Sequence, residues 1–304
     1  MRFVLTAALV IALAVLGVLP LWASGYILGV LTVAYYFSVF AMAWDLLFGF
    51  ANEVNFGPTF LIGLGAYGAG ILNGHGFPIW ASVVLGTLIA VAGGILLALP
   101  ALRLTGPYFG LTTLVAVLIL QNLVVVFAGF TGGEIGLMVP DVISIDAGTN
   151  YWIGYGFMLV CGAILYALSR SPIGLILQAS GQDAVQAGAL GFNITKHKLA
   201  AFIISAFFSG LSGALLVFYM GTASVSTLIS ITVGVQIIIA AVIGGRRTII
   251  GAAIGTIFLI AMTEALRSTG ELATFIVSAL ALIVVLIAPN GFMGVITGRR
   301  GERA

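Results

Sequence analysis

Charged residues are scarce in this chain. Only 7% of its 304 residues are Asp, Glu, Lys or Arg, while 62% are hydrophobic. A soluble domain carries about 25% charged residues, so a soluble fold could not cover this much apolar surface. Because backbone groups in lipid must be hydrogen-bonded within their own segment, runs of about 20 apolar residues cross a membrane as helices. The composition therefore predicts an all-α, polytopic transmembrane helical bundle.

The sequence lacks the residues needed for a disulfide, a metal site, a nucleotide-binding phosphate loop or a hydrolase active site. Cys161 is the single cysteine, so no disulfide forms within the chain, and the two histidines, His75 and His197, are far apart and suggest no metal site. The sequence has neither a G-x-x-x-x-G-K-[ST] phosphate loop nor a G-x-S-x-G hydrolase motif. We therefore expect no enzyme, no ATPase site and no cofactor in this chain. A net charge of +2 is too small to indicate nucleic acid.

Apolar stretches divide the chain into about ten spans, which we expect to form a single transmembrane domain over residues 1–304. The first, Met1–Ser24, has the layout of a signal peptide but is expected to remain as an uncleaved span. Two others, Pro58–Leu72 and Ile229–Ile243, are short for about 30 Å of hydrocarbon. The remaining predicted spans are Ile27–Phe48, Ile79–Leu99, Pro107–Phe127, Trp152–Leu168, Leu199–Met220, Ile249–Leu266 and Ala273–Ala288.

Basic residues are distributed unevenly between the connecting segments. If the polar segment Arg170–Lys198 is cytoplasmic and the spans alternate, ten of the 11 Lys and Arg residues fall inside and only Arg267 falls outside. An excess of Lys and Arg marks the cytoplasmic side. The loop Gly129–Tyr151, which contains no Lys or Arg, then lies outside, and both termini are predicted to be cytoplasmic.

Two stretches echo each other. Gly49–Gly70 and Gly244–Met262 both place a polar, glycine-containing break before a short glycine-rich span. Paired interruptions of this kind point to the transport path in transporters built from repeats, and the echo would fit an inverted repeat. The alternative is that glycine is simply common here, with 41 in the chain, because small residues allow close helix packing in membranes.

Arg170–Lys198 is too polar for hydrocarbon, yet it has helical spacing. Its apolar residues could line one side of a short helix at the membrane surface. Because this helix has little basic charge, it suits a groove on a soluble protein better than a lipid surface. We expect it to receive force from a cytoplasmic partner, with Asp183 at about its middle. The apolar residues are Leu175, Ile176, Ala179, Ala184, Val185, Ala189 and Leu190.

Charged residues at membrane depth are frequent functional sites. Asp45, near the inner end of the second span, is either a helix-end residue that reaches interfacial water or Arg103, or a polar point on a transport path. A lone carboxylate is also what a proton-coupled transporter would titrate. Glu264 and Arg267 are three residues apart, which places them on one helix face, and we expect an interfacial ion pair.

Side chains in and after the first break could line a path for a small zwitterion, because such a path needs donors and acceptors without a strong fixed charge. Thr and Tyr in spans more often bond to neighbouring helices, so packing is the alternative. The path candidates are Asp45, Asn52, Asn55, Phe56, Tyr67, Tyr108, Thr112 and Thr113. In the outer loop, Thr131, Gly132, Gly133 and Glu134 form either an ordinary turn or an outer gate or docking surface for a periplasmic partner.

Taken in order, several stretches resemble one family, the inner-membrane permeases of bacterial branched-chain amino acid ABC importers, specifically the LivM type of the LivH/LivM subunits. Each piece is short, but their order and spacing together cover most of the chain. The matching pieces are Trp44–Phe50, Asn55–Gly57, Gly63–Tyr67, Leu102–Phe109, Thr112–Leu114, Thr131–Leu137, Ser171–Gly174, Ala189–Thr195 and Lys198–Ala206.

The resemblance implies a transmembrane permease subunit that translocates branched-chain or related small amino acids across the bacterial inner membrane. It implies a heteromer with a second, LivH-type permease, two cytoplasmic ATPase subunits that bind ATP, and a periplasmic solute-binding protein. It also implies a coupling helix within residues 171–197. The residues coupled to the ATPase would be Gln178, Gln182, Asp183, Ala184, Gly191 and Asn193.

The chain departs from the family pattern at several positions. It has Asp45 where the family usually has Asn, Pro58 where His is frequent, and Arg246–Arg247 after its paired glycines. Relatives also handle urea and short amides, so the solute stays open. The alternatives are an ion- or proton-coupled secondary transporter of a small polar solute, with Asp45 as the titrating site, and a passive channel. Dependence on a separate ATPase distinguishes the permease from both.

Overall fold

The computed structural model describes residues 11–104, 106–270 and 291–297, together with isolated residues between 272 and 286. Two short strands, β1 (Leu137–Met138) and β2 (Thr222–Ala223), pair antiparallel. The helices of the described part are α1 (Ile11–Leu21), α2 (Gly25–Phe50), α3 (Pro58–Gly74), α4 (Ile79–Ala101), α5 (Pro107–Val126), α6 (Ala128–Thr131), α7 (Ala147–Arg170), α8 (Pro172–Gln182), α9 (Ala184–Ala189), α10 (Ile194–Met220), a π-helical turn (Val225–Ile229), α11 (Ile231–Gly244), α12 (Ile249–Ala265), a 3-10 turn (Arg267–Thr269) and α13 (Gly291–Thr297).

Six helical segments in the described residues are long and apolar enough to cross a membrane: α2, α4, α5, α7, α10 and Val225–Gly244, which joins the π-helical turn to α11. The helices α1 and α12 are apolar but shorter, and α3 has 17 residues. The predicted helical membrane bundle is confirmed, whereas the count of ten spans and the inverted repeat are not. Residues 1–10 of the first predicted span and most of Ala273–Ala288 lie outside the described residues.

One end of the bundle gathers most of the described basic residues. Lys198 at the start of α10 pairs with Glu53 after α2, and Arg246 after α11 bonds to Asn52. The helix α4 starts beside the far end of α3 and so finishes at this end, next to Arg103. We call this the basic end, and it contains residues 45–57, 101–107, 170–198 and 245–249.

The opposite end is formed by the long loop between α5 and α7 and by the turn after α10, which are joined by the β1–β2 pair. Asn73 at the end of α3 donates to Asp141 (2.7 Å), which fixes the loop over α3. At the same end, Arg267 pairs with Glu264 (3.2 Å), and both bond to Tyr26. The predicted Glu264–Arg267 ion pair is therefore confirmed. Among the Lys and Arg residues that the structure describes, Arg267 is the one that lies at this end.

The helices α3, α4 and α10 pack closely through glycine. The backbone of Gly65 in α3 lies against the carbonyl of Gly210 in α10, and Gly86 in α4 lies against the carbonyl of Gly65. A Cβ at any of these positions would overlap its neighbour, so the close approach requires glycine. On the other side of α10, the large buried side chains of α2, including Tyr35 and Trp44, form the core.

Candidate functional site

The last turn of α2 is π-helical (Leu46–Phe50) and is followed, after Ala51, by an irregular segment, residues 52–57. Within this region the Asp45 carboxylate is buried, with 1% exposure. It accepts hydrogen bonds from the backbone N–H groups of Arg247 (3.1 Å) and Thr248 (3.0 Å) in the α11–α12 turn. Arg247 has φ +61°, a left-handed conformation that aims consecutive N–H groups at one point and so forms a concavity for an anion. Asp45 fills that concavity.

Further contacts tie the same two segments together. Arg247 Nε donates to the Gly49 carbonyl (2.8 Å), and Gly49 lies so close to Asp45 and the Arg247 backbone that no Cβ would fit. The Arg246 guanidinium bonds to Asn52 and lies 4.4 Å from the centre of the Phe48 ring. Burial lowers the pKa of Arg246, and the neighbouring Arg247 charge lowers it further. The two polar, glycine-containing segments that resemble each other in sequence are therefore in contact here. We call residues 45–53 together with 245–248 the junction.

The junction corrects the expectation that Asp45 reaches interfacial water or Arg103. Its partners are backbone N–H groups more than 200 residues away in the chain, and its side chain is closed off from solvent. Two charge-assisted hydrogen bonds to backbone N–H groups fix the position of this carboxylate. The sequence signal for these donors is the polar turn Gly244–Thr248, whose paired glycines and arginines interrupt two apolar helices.

The polar segment after α7 consists of two helices, α8 and α9, rather than one. Asp183 lies between them, where its carboxylate accepts hydrogen bonds from the backbone N–H groups of Val185 and Gln186 (2.9 Å each). The expectation that Asp183 sits near the middle of a single helix is wrong, because aspartate stabilises a helix start better than a helix interior. Asn193 starts α10 in the same way, by accepting from Lys196 N–H (3.0 Å).

The first of these two helices, α8, packs directly against the junction. Gly181 of α8 lies against the carbonyl of Phe50 and the backbone of Ala51, at a distance that leaves no room for a Cβ. The remaining coupling candidates are partly or fully exposed: Gln178, Gln182, Ala184 and Gly191. Large apolar side chains are also exposed on this surface, namely Leu175, Val185 and Leu190.

The predicted path residues do not form one group. Asn55 and Thr113 are buried and hold the start of α3, because Asn55 Oδ1 accepts from Gly57 N–H (2.7 Å) and Thr113 Oγ1 accepts from Phe56 N–H (3.0 Å). Asn52 belongs to the junction with Asp45. Phe56 and Tyr108 are exposed. Thr112 donates within its own helix to the Tyr108 carbonyl (2.9 Å), and Tyr67 lies further along α3, buried.

The outer-loop candidates form a tight turn at the opposite end. Thr131 is buried, and its hydroxyl donates to the carbonyl of Val124 (2.5 Å) and accepts from Gly133 N–H (3.2 Å). Gly132 and Gly133 have φ values of +73° and +57°, which glycine adopts without strain. Glu134 is exposed beside Ile135, which is 97% exposed. In the described residues no group of three or more His, Cys, Asp or Glu could hold a metal ion.

Comparisons with known proteins identify a family and a similar fold. A family described as "Branched-chain amino acid transport system / permease component" matches residues 26–289. The high-affinity branched-chain amino acid transport system permease protein LivM of Salmonella typhimurium is 24% identical, over 96% of this chain and 75% of its own length. LivM of Escherichia coli is also 24% identical, over 93% of this chain and 74% of its own. A solved chain, described as a metal-chelate type ABC transporter in an inward-facing conformation, shares the fold with a TM-score of 0.59 at 15% identity, over 94% of this chain and 99% of its own.

Proposed function

The chain belongs to the family of branched-chain amino acid transport system permease components, and we propose that it is the membrane subunit of a bacterial ABC importer. The solute is a branched-chain or related small amino acid, as the names of the LivM relatives suggest. The family match over residues 26–289 carries this proposal. ATP is bound and hydrolysed by separate subunits.

The proposed complex contains this chain, a second permease of the LivH type, two cytoplasmic ATPase subunits and a periplasmic solute-binding protein. The basic end is cytoplasmic, because Lys and Arg mark that side of a membrane protein. In this proposal the chain crosses the inner membrane ten times and has both termini inside.

The proposed coupling surface is formed by α8 and α9. This surface lies at the basic end and combines exposed apolar side chains with an aspartate. Through Gly181, it packs against the junction. Closure of the ATPase subunits around ATP would move α8, and α8 would move Phe50 and the segments tied to it. Because packed interfaces change between discrete arrangements rather than deforming gradually, this movement would change which side of the bundle is open.

Co-purification tests the proposal. The tagged chain is expressed with candidate ATPase subunits and a second permease, as wild type, Asp183→Arg, Asp183→Asn and Asp146→Arg. Asp146 is a matched control because it also starts a helix, α7, through a bond from Thr149 N–H (2.7 Å), but at the opposite end. We expect the ATPase with wild type, Asp183→Asn and Asp146→Arg, and its loss with Asp183→Arg, which places a positive charge on the coupling surface.

Two results would contradict these assignments. If a folded wild-type preparation retains no ATPase subunit, the importer proposal fails and a secondary transporter becomes the better explanation. If Asp183→Arg retains as much ATPase as Asp146→Arg, the importer stands but α8–α9 is not its coupling surface.

A further inference from the structure

Two consecutive residues after α2, Asn52 and Glu53, bond to different parts of the bundle. The Asn52 side-chain oxygen accepts a hydrogen bond from the Arg246 guanidinium in the α11–α12 turn. The Glu53 carboxylate pairs with Lys198 near the start of α10. These partners lie 194 and 145 residues further along the chain. Two adjacent side chains of the junction therefore connect it to two elements that are remote in sequence.

The end of α2 holds the backbone of this pair. The N–H groups of Asn52 and Glu53 donate to the carbonyls of Phe48 (3.1 Å) and Leu47 (3.4 Å) in the π-helical turn. Asn52 has φ +58°, a left-handed conformation that asparagine adopts more readily than most residues. Among the residues that the structure describes, the other non-glycine residue with positive φ is Arg247, which lies across the same contact. Strained backbone is concentrated at functional positions, and here it lies where two elements meet.

The proposed coupling surface reaches the same pair. Gly181 of α8 lies against the Phe50 carbonyl, and a Cβ added at Gly181 would be 3.2 Å from the Asn52 Cβ. A displacement of α8 relative to α2 therefore acts directly on Asn52. Because Glu53 is the next residue in the chain, the displacement acts on Glu53 as well.

The partners of the pair belong to different groups of helices. Lys198 is on α10, which packs closely against α3 and α4 through glycine. Arg246 lies between α11 and α12, and its guanidinium is 4.4 Å from the centre of the Phe48 ring. This cation–π contact holds the guanidinium beside Asn52. Since Arg246 is one of the positions at which the chain departs from the family pattern, the connection through it is a feature of this chain.

We propose that Asn52 and Glu53 are positioning residues that distribute the movement of α8 to these two groups of helices. Glu53 acts on α10 through Lys198. Asn52 acts on the α11–α12 turn through Arg246. This inference rests on the proposed function and deepens it, because it names the residues through which the coupling surface acts. Exposed polar contacts contribute little to stability, so loss of the Arg246 connection should affect coupling more than folding.

The test measures leucine transported per ATP hydrolysed by the full complex in liposomes, with excess leucine-loaded binding protein. Asn52→Gly removes the side chain and accommodates the positive φ without strain, and Arg246→Ala removes the guanidinium. We expect each variant to retain its ATPase subunits, to melt close to wild type and to transport about fivefold less leucine per ATP, a factor that corresponds to about 1 kcal/mol. The double variant should fall no further than either single variant, because the two side chains form one connection. Asn52→Asp keeps an acceptor oxygen and should restore transport.

Lys198→Ala removes the other connection. Combined with Arg246→Ala, it should lower the ratio by the product of the two single effects, because the two connections are separate. Arg103→Ala is the matched control, since Arg103 is an exposed arginine of the same end. Its side chain has no hydrogen-bond or ion-pair partner within the described part of the chain. This control should leave the ratio unchanged.

Three results would overturn the proposal. An unchanged ratio in both Asn52→Gly and Arg246→Ala would mean that their bond transmits no movement. A double variant whose loss is the product of the two single losses would mean that these side chains act separately. Loss of the ATPase subunits from either variant would assign the residue to docking instead of transmission. Absence of leucine uptake by the wild-type complex would instead contradict the proposed function itself.

Discussion

The Asp45 carboxylate and the backbone N–H of Arg247 are joined by a hydrogen bond of 3.1 Å across 202 residues of chain. This bond connects the end of α2 to the turn between α11 and α12. Because α8 rests on the neighbouring Phe50 and Ala51, the junction is where the proposed coupling surface meets the spans. A segment that transmits movement must be stiff, and a buried carboxylate with two backbone donors supplies that stiffness.

The first prediction concerns Asp45. Asp45→Asn keeps one acceptor oxygen but turns an amide N–H₂ toward a backbone donor, whereas Asp45→Leu leaves both buried N–H groups unpaired. Each lost hydrogen bond to a charged group costs about 1.5–3 kcal/mol. We expect the melting temperature in detergent to fall in the order wild type, Asp45→Asn, Asp45→Leu.

Transport by Asp45→Asn separates the anchor from a proton-coupling role. We expect this variant to retain uptake with an unchanged dependence on external pH. Complete loss of uptake in a variant that melts like wild type would identify Asp45 as a titrating transport residue and favour the secondary transporter.

The second prediction concerns the contact between α8 and the junction. Gly181→Ala adds a methyl group where the Phe50 carbonyl already lies, so α8 must move away from the junction. Gly156→Ala in α7 is the matched control, because a Cβ there meets nothing within 4 Å and the residue lies outside the proposed coupling surface. We expect Gly181→Ala to bind the ATPase but to transport several-fold less solute per ATP hydrolysed, whereas Gly156→Ala should behave as wild type. Equal coupling ratios in the two variants would show that α8 does not act through this contact.

The third prediction concerns the ion pair between Glu53 and Lys198, whose side chains are 12% and 20% exposed. Glu53→Lys and Lys198→Glu each place two like charges together at the basic end and should lower the melting temperature. The double exchange restores opposite charges and should recover part of the loss. A double-mutant cycle gives the coupling energy, which we expect at about 1 kcal/mol. Strictly additive changes would mean that the pair contributes no interaction energy.

The sequence predicted much of this fold because apolar runs are a direct consequence of the lipid environment. The helices α4, α5 and α10 fall within a few residues of predicted spans. The prediction of one helix through Asp183 is wrong because it follows the spacing of the apolar residues, which continues across this position. The preference of aspartate for helix starts is the signal that indicates two helices. The Asp45–Arg247 bond could not be predicted, since no local pattern reports which distant backbone groups will face a buried carboxylate.

The fourth prediction concerns the packing of α3 against α10. Gly65→Ala adds a Cβ that overlaps the Gly210 carbonyl, a backbone atom that cannot turn aside as a side chain could. Overpacking a close helix contact costs about 1–3 kcal/mol, so the melting temperature should fall by several degrees. Gly156→Ala in α7 is the control, because a Cβ there meets nothing within 4 Å, and alanine should be neutral or slightly stabilising in a helix. If both variants melted alike, α3 and α10 would have to be further apart than the structure shows.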